Sequence, residues 1–525
     1  MPRNILFIMC DQLRWDYLSC YGHLKLNTPN IDALAARGVR FDNAYCQSPL
    51  CGPSRASFYS GRYMSSHGVM ANQDPTRIDE LTIADYLKPS GYRSALVGKT
   101  HNRKSRTAMR ALGIKSDSDY ARCAGSGGFE PFELHEGLYP GTSVPENNGY
   151  TAYLNSKGYT GSNPWQEYAN SGEDKDGNIR SGWRLRNSVY PARVAEEHSE
   201  TAYLTNRAID FLQQQEGDSP WCLHLSYIKP HWPLIAPAPY HDLYNAADIQ
   251  PVQRSKRELD NPHPVYAAFM EQEYSESFAR DDVRERVIPV YMGLIRQIDD
   301  QLGRLFEYMK QNGTFEQTMI VFTSDHGDYL GDHWLGEKDL FHQASVKIPL
   351  IIVNPNATAD ETRGSVCSEM VEAVDLLPTF IEYAGGIINH ERIEGKSLMP
   401  LLRSSIAPGD WRRFALSEID YSDRGVCSSL NLAPYDCRAL MVRNKRWKYI
   451  HHNLFRAQLF DMQKDPQELI DLGDDPAYAK LCTKMQQLVI DSRRRLKPRV
   501  EVPYENLASM GCEQAEAQGI VIGRW

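Results

Sequence analysis

The feature that most constrains the fold is a pair of apolar runs that each end on an acid. Residues 4–10 read NILFIMC and run into Asp11-Gln12; residues 318–324 read TMIVFTS and run into Asp325-His326. A run without polar alternation has no solvent-facing side, and runs this short are strand-length, so each reads as a central strand covered on both faces. SALVGK (94–99), PWCLHLSYIKPHWP (220–233) and KIPLIIVNP (347–355) have the same character, and VRFDNAYC (39–46) reads as one further strand. Helical patterns lie between them: TPNIDALAARG (28–38), PSRASFYSGR (53–62), LTIADYLKPSGY (81–92), 196–215, 287–313 and 374–386. Strands alternating with helices predict an α/β fold, a large, mainly parallel, mixed central sheet flanked by helices.

The chain is 525 residues long, enough for a large core and a second, smaller unit. Residues 1–400 are predicted as the α/β catalytic domain. Within it, 102–190 is rich in Gly, Ser, Asn, Asp and Tyr with weak periodicity, and reads as a long insertion anchored by Trp165 and Trp183. After about residue 400 the pattern changes. MVRNKRWKYIHHN (441–453) and AQLFDMQKDPQELIDL (457–472) alternate like a small antiparallel sheet, and 478–496 follows as a helix, so 401–496 is predicted as a C-terminal α+β subdomain. Residues 497–525 end in GIVIGRW and read as an arm that packs on a second subunit, giving a homodimer or higher homo-oligomer, or else as a strap over its own chain.

Lys plus Arg is 58 and Asp plus Glu is 67, a net charge of −9, which gives no footprint for nucleic acid or an anionic membrane. A small anion must therefore be met by a locally positive site. The opening apolar run is too short for a secretory signal, and nothing approaches the roughly 18–20 apolar residues of a membrane span. Eleven scattered cysteines with no CxxC pair do not form a disulfide framework. The expectation is a cytoplasmic protein with mostly buried thiols.

Strand ends of a parallel sheet converge on one crevice, so Asp11-Gln12 and Asp325-His326 can meet around one cation. Carboxylate, amide and imidazole together suit Mn²⁺, Ca²⁺ or, less well, Mg²⁺ better than a thiolate zinc site. Either dipeptide alone reads as readily as a turn or a helix cap. In SPLCGPSRASFYSGR (48–62), Pro53 fits an early helix position, and Cys51 and Arg55, four apart, share a face. Helix N–H groups and a guanidinium around Cys51 make a cradle for a tetrahedral oxyanion, or simply surround a half-buried cysteine. Lys99 and His101 in GKTH, Lys229 and His231 in SYIKPHWP, Lys338 in GDHWLGEKDLFHQ and Asn72 in SHGVMANQD can supply the positive field and substrate contacts; each alone also reads as a surface lysine or a satisfied polar residue.

CGPSR matches the sulfatase signature C-x-P-x-R, and the chain resembles that family, within the alkaline phosphatase superfamily, from residue 4 to about 475. The matching stretches include TPNIDALAARGVRFDNAYCQSPLCGPSRASFYSGR, LVGKTH, FTSDHGDYLGDH and VDLLPTFIEYAGG, in family order. The resemblance implies that Cys51 is oxidised by a formylglycine-generating maturation enzyme to an aldehyde that hydrates to a geminal diol. One diol oxygen, held with the divalent ion by Asp11, Gln12, Asp325 and His326, attacks sulfur or phosphorus, and the resulting ester collapses by elimination. It further implies that Arg55 neutralises the attacking oxygen and that Lys99, His231 and Lys338 contact the ester. His231 or Lys338 then protonates the leaving alcohol, His101 takes the second hydroxyl's proton, and Asn72 contacts the ester or diol. The pair Lys99 and His101 resembles sulfatases. Gln12, His326 and Asn72 resemble phosphonate monoester hydrolases. The leading reading is a sulfate monoester hydrolase of arylsulfatase type, with phosphonate monoester or phosphodiester hydrolysis as the alternative and promiscuity across both. A non-catalytic anion-binding homologue and a hydrolase using unmodified Cys51 are the remaining readings.

Overall fold

The computed structural model describes residues 4–497 apart from 142, 143, 145–147, 216 and 218. The predicted arm beyond Lys497, and with it the expected dimer contact, lies outside the described residues. Among the described residues the central sheet has eight strands: β1 Asn4–Asp11, β2 Val39–Phe41, β3 Arg93–Gly98, β4 Glu130–Leu134, β5 Trp221–Pro230, β6 Thr318–Ser324, β7 Leu350–Val353 and β8 Ser365–Cys367. Their spatial order is β8-β2-β7-β6-β1-β5-β3-β4. All neighbours are parallel except β7, which runs antiparallel to both β6 and β2. The α/β fold with a mixed sheet is as the alternation predicts.

The apolar runs form the middle of this sheet. Ile5 through Cys10 on β1 and Met319 through Phe322 on β6 are all buried, and neither run has a polar face because helices cover both sides. One layer holds α1 Pro29–Arg37, α3 Glu200–Gln213 and α4 Asp281–Gln311, whose apolar stripe packs Ile288, Tyr291, Ile295 and Leu302 on the sheet. The other holds α2 Cys51–Ser60 and α5 Leu376–Tyr383, with Phe58, Leu377 and Phe380 in the core.

Three local expectations change. VRFDNAYC is not one strand: a turn at Asp42-Asn43 ends β2, and Ala44–Tyr45 pairs instead with Val371–Glu372 in a separate two-stranded sheet. The 102–190 stretch is not wholly an insertion, because β4 within it forms one edge of the central sheet. Its sequence, EPFEL, is half-exposed and polar as an edge strand tends to be, so it carries no apolar signature. Helix α4 starts at Asp281, ahead of the apolar periodicity that begins at residue 287. Trp165 is buried and donates its indole N–H to Glu200 Oε1 at 2.8 Å, whereas Trp183 is partly exposed.

The C-terminal antiparallel sheet is β9 Phe414–Asp420, β10 Arg438–Asn444, β11 Trp447–His452 and β12 Gln458–Asp461, in that order, with α6 Ala479–Arg494 against it. It docks on the larger sheet through polar links: Lys448 Nζ, paired with Glu468 of its own unit at 2.5 Å, donates to the Phe341 carbonyl at 2.6 Å, and the half-buried Arg424 pairs with Asp339 at 2.8 Å. Among the described residues no helix is long and apolar enough to cross a membrane, and the described cysteines are free.

Candidate active site

Four adjacent strands, β6-β1-β5-β3, end at the same edge of the sheet, and each delivers a polar side chain there. Cys10 is in register with Ser324, so Asp11 and Asp325 leave neighbouring strands side by side. On the other flank β5 continues past Tyr227, its partner to Cys10, into Pro230 and His231. Beyond it, Gly98 pairs with Ser226 and the chain turns into Lys99 and His101. Gly98 has φ +111°, and a Cβ there would meet the Ser226 carbonyl oxygen at 2.0 Å, so only glycine lets Lys99 N–H reach that carbonyl. Gln12 at φ 62° and His101 at φ 46° hold left-handed backbone without being glycine, a strain characteristic of ligand clamps.

Helix α2 starts at this edge, with Cys51 as its first residue. All ten of its residues are buried, so it has no amphipathic face to read. Its serines are satisfied internally: Ser54 Oγ donates to the Asp325 carbonyl at 2.6 Å and Ser57 Oγ bonds His67 at 2.9 Å. Asn72 Oδ1 accepts the Gly52 N–H at 2.8 Å, so the helix entrance is partly closed by a side chain rather than left open to a ligand.

Arg55, fully buried, lies on the floor of the site. Its Nε donates to Asp325 Oδ2 at 2.9 Å and its Nη2 to Asp11 Oδ2 at 3.2 Å, while Nη1 reaches the Lys99 carbonyl and Ser226 Oγ, both at 2.9 Å. Lys99 Nζ pairs with Asp11 Oδ2 at 2.5 Å. Cys51 Sγ lies 3.1 Å from His326 Nε2, 3.6 Å from Asp11 Oδ1 and 3.5 Å from Lys338 Nζ. Lys338 Nζ also donates to Gln12 Oε1 at 2.7 Å and to His231 Nε2 at 3.2 Å. The Nδ1 atoms of His326 and His231 are assigned as donors to the carbonyls of Gly327 at 2.9 Å and Trp232 at 2.7 Å, which leaves both Nε2 atoms facing the thiol region. The eleven predicted site residues thus meet in one place, whereas Lys229 does not: its Nζ turns to the Pro233 carbonyl at 2.9 Å and to Glu200.

The electrostatics follow from this crowding. Burial pushes the Cys51 thiol up, but Lys338, Lys99 and His326 outweigh it and hold it well below its ordinary value. Asp11 is held low despite its burial and the neighbouring Cys51, chiefly by Lys99 and Arg55. Burial and Lys338 together hold His231 down, so it is neutral at ordinary pH. Lys338 is raised despite burial by Cys51 and Glu337.

Asp11, Cys51, Asp325 and His326 each offer a ligand atom, all within 4.8 Å of one another, and all four are buried. With the Gln12 amide oxygen alongside, the oxygen-rich donor set fits a divalent cation of the Mn²⁺, Ca²⁺ or Mg²⁺ kind. Sequence reading missed three supports. Glu136 accepts the backbone N–H of Thr100 and of His101, at 3.1 and 2.9 Å, and nothing in its surroundings marks it. Asp328 accepts from the Gln12 amide, and its place three residues after Asp325 was a usable signal. Ser226 hides within an apolar strand.

A sulfatase family profile matches residues 3–387, and a second, for the C-terminal part of N-sulphoglucosamine sulphohydrolase, matches residues 331–495. The chain belongs to the sulfatase family. A multifunctional alkaline phosphatase superfamily protein of Trinickia caryophylli is 31% identical to this sulfatase-family chain, over 94% of it and 95% of the relative. An arylsulfatase of Clostridium perfringens is 26% identical over 93% and 94%. Among solved structures, phosphonate monoester hydrolases of Silicibacter pomeroyi and Agrobacterium radiobacter superpose with TM-scores of 0.82 and 0.80. They share 28% and 27% identity, covering 96% and 94% of this chain and 98% and 96% of those chains. This sulfatase-family chain is a hydrolase whose relatives include both arylsulfatases and phosphonate monoester hydrolases.

Proposed function

We propose that the protein hydrolyses sulfate monoesters at a formylglycine made from Cys51, with one divalent cation held by Asp11, Gln12, Asp325 and His326. The observation that carries this reading is the ring of Lys99, Lys338, His231 and His101 around Cys51, two of them ammonium groups that can donate to the non-bridging oxygens of a sulfate group. Hydrated formylglycine supplies two hydroxyls, one to attack and one through which the product is released, and the cation supplies Lewis acidity for the first. Arg55 fixes the two carboxylates and faces the developing charge with a guanidinium that cannot be deprotonated. Lys99 and Lys338 aim ammonium groups where the ester oxyanion lies, in a buried site, so their charges act at low dielectric. Lys338 holds the proton and donates it in a hydrogen bond to His231 Nε2 at 3.2 Å. His231 Nε2 passes it to the leaving alkoxide, and Lys338 restores it. Among the described residues the Nδ1 of His101 is buried without a hydrogen-bond partner, which suits it to take the proton of the second hydroxyl.

The test is the mass of the Cys51 peptide from active protein. An aldehyde in place of the thiol supports the reading; an unmodified thiol in fully active protein overturns it. The second reading, phosphonate monoester hydrolysis, is favoured by the TM-scores of 0.82 and 0.80 to enzymes so named. Comparing kcat/KM on an aryl sulfate and the matched aryl phosphonate monoester decides between them, because discrimination lies in differential binding of the two transition states.

A further inference from the structure

The site opens into a cavity of about 680 Å³, room for a substantial alcohol half. Four carboxylates line it, and each is engaged. Asp74 accepts the backbone N–H of Met70 and Ala71 at 2.9 and 3.0 Å, and Glu136 those of Thr100 and His101. Asp339 pairs with Arg424 at 2.8 Å, and Glu337 lies 3.8 Å from Lys338. Two lining cations are not engaged. Arg103 and Arg106 are exposed in the wall, and among the described residues neither guanidinium has an ion pair, hydrogen bond or ring contact. In a chain with net charge −9, two uncommitted guanidinium groups on one wall of an anion-binding cavity are an imbalance that a ligand can correct.

The backbone that carries them is fixed. Thr76 N–H donates to the Arg103 carbonyl at 2.9 Å, Thr76 Oγ1 to Asn102 Oδ1 at 2.7 Å, and Ser105 Oγ accepts the Ala108 N–H at 3.1 Å. Their main chain is therefore placed before substrate arrives, and only side-chain rotamers remain to be ordered.

We propose that Arg103 and Arg106 form an anion subsite for the alcohol half, so that the preferred substrate is an ester whose leaving group carries a second oxyanion, a carboxylate or a second sulfate. The inference rests on the ester-hydrolase reading for the reacting end but not for the charge of the far end. Guanidinium groups match both oxyanions by paired N–H donors, and the cavity places this wall on the same space as Cys51.

The test uses three phenyl sulfates that differ only at the meta position: carboxylate, second sulfate and carboxamide. Binding is measured by calorimetry to the full-length Cys51→Ala protein, which does not depend on turnover. The carboxylate or the disulfate is expected to bind about 5-fold or more tighter than the carboxamide, the gain from two exposed charge pairs, and the gain shrinks as salt rises. Which of the two anions gains more identifies the second group. In the same protein carrying Arg103→Gln and Arg106→Gln the ratio falls to about one, and with Arg106→Glu it inverts. Equal affinities for all three probes, no measurable binding of any, or a preference that survives the double glutamine variant would overturn the subsite. If the preference holds but wild-type protein turns over none of the three, the sulfate ester reading fails and the subsite stands.

Discussion

Replacing Arg55 tests how the floor of the site is held together. Its guanidinium serves Asp325, Asp11, the Lys99 carbonyl and Ser226, at 2.9, 3.2, 2.9 and 2.9 Å, and all of it is buried. Arg55→Met keeps the volume but leaves Asp325 without its nearest cation and Asp11 with Lys99 alone. Removing one partner of a buried ion pair costs about 3–5 kcal/mol, and the orphaned carbonyl and hydroxyl move this case to the upper end. Arg55→Lys keeps a charge but cannot span all four acceptors, and costs about 1–3 kcal/mol. Total stabilities are about 5–15 kcal/mol, so the first loss is a large fraction. The assay is the urea midpoint followed by tryptophan fluorescence on metal-depleted protein, repeated with a divalent cation. The cation is expected to recover part of the deficit of the methionine variant, since it restores positive charge between Asp11 and Asp325. A methionine variant within about 1 kcal/mol of the parent, a change typical of unremarkable substitutions, would refute the reasoning. Equal losses in the two variants would show that geometry rather than charge sets the cost.

Glu136→Gln weakens the hold on the His101 backbone, and a small misplacement of that ring is expected to lower kcat about 10-fold with KM nearly unchanged. Steady-state kinetics with folded variant read it, with Glu136→Asp as the partial rescue. His231→Ala is expected to slow esters of poor leaving groups by about 10²-fold or more and activated aryl esters far less, so the dependence of rate on leaving-group pKa steepens. An unchanged slope would remove His231 as proton donor. A strong chelator is expected to abolish activity and lower the melting temperature together, as loss of a ligand bound to the native state requires. Burial pushes Asp299 up to about 6 against the hydrogen bonds it accepts from Asn30 and Ile31 at the start of α1. A carboxyl raised in the native state contributes stability that is complete below its unfolded value and is lost as pH rises through about 6. Asp299→Asn is therefore expected to remove about 2–3 kcal/mol of pH dependence between about pH 4 and 6, measured as the difference in urea midpoints.

The middle of the sheet was legible because burial on both faces leaves an unbroken apolar run, and a strand so buried must end where polar residues begin. That is why Asp11 and Asp325 could be placed on one edge without coordinates. Cys51 and Arg55 were legible because helical spacing forces residues four apart onto one face. Where side chains act against backbone the signal vanished. Asn72 was named as a site residue, but its hold on the Gly52 N–H was not foreseen; Glu136 clamps the Thr100 and His101 amides, and Ser226 serves the Arg55 side chain from inside an apolar strand. None of these contacts imposes a period or a spacing. The edge strand β4 was hidden for the opposite reason: half-exposed, it had no apolar face to display.

On the proposed reading, the charge around Cys51 would let one site accept chemically distinct esters. Arg55, Lys99 and Lys338 bring three positive charges and Asp11 and Asp325 two negative ones, with His231 held neutral. These five groups are thus positive by one, and a divalent cation held by the Asp11–His326 ligand set would raise that to three. A monoanionic ester and an ionised attacking oxygen together bring two negative charges, so the site stays slightly positive as charge moves to the leaving group. Sulfate monoesters and phosphonate monoesters carry the same single charge at neutral pH, so this balance does not separate them. Shape must, since a phosphonate replaces one oxygen by carbon. Of the donors around Cys51, those that would face this position lose their acceptor with a phosphonate, and an unpaired donor in a buried site costs about 1–3 kcal/mol. A preference for sulfate of about 10-fold or more in kcat/KM follows from that cost, and a preference for the phosphonate would mean that Lys99 or Lys338 does not reach the bound ester.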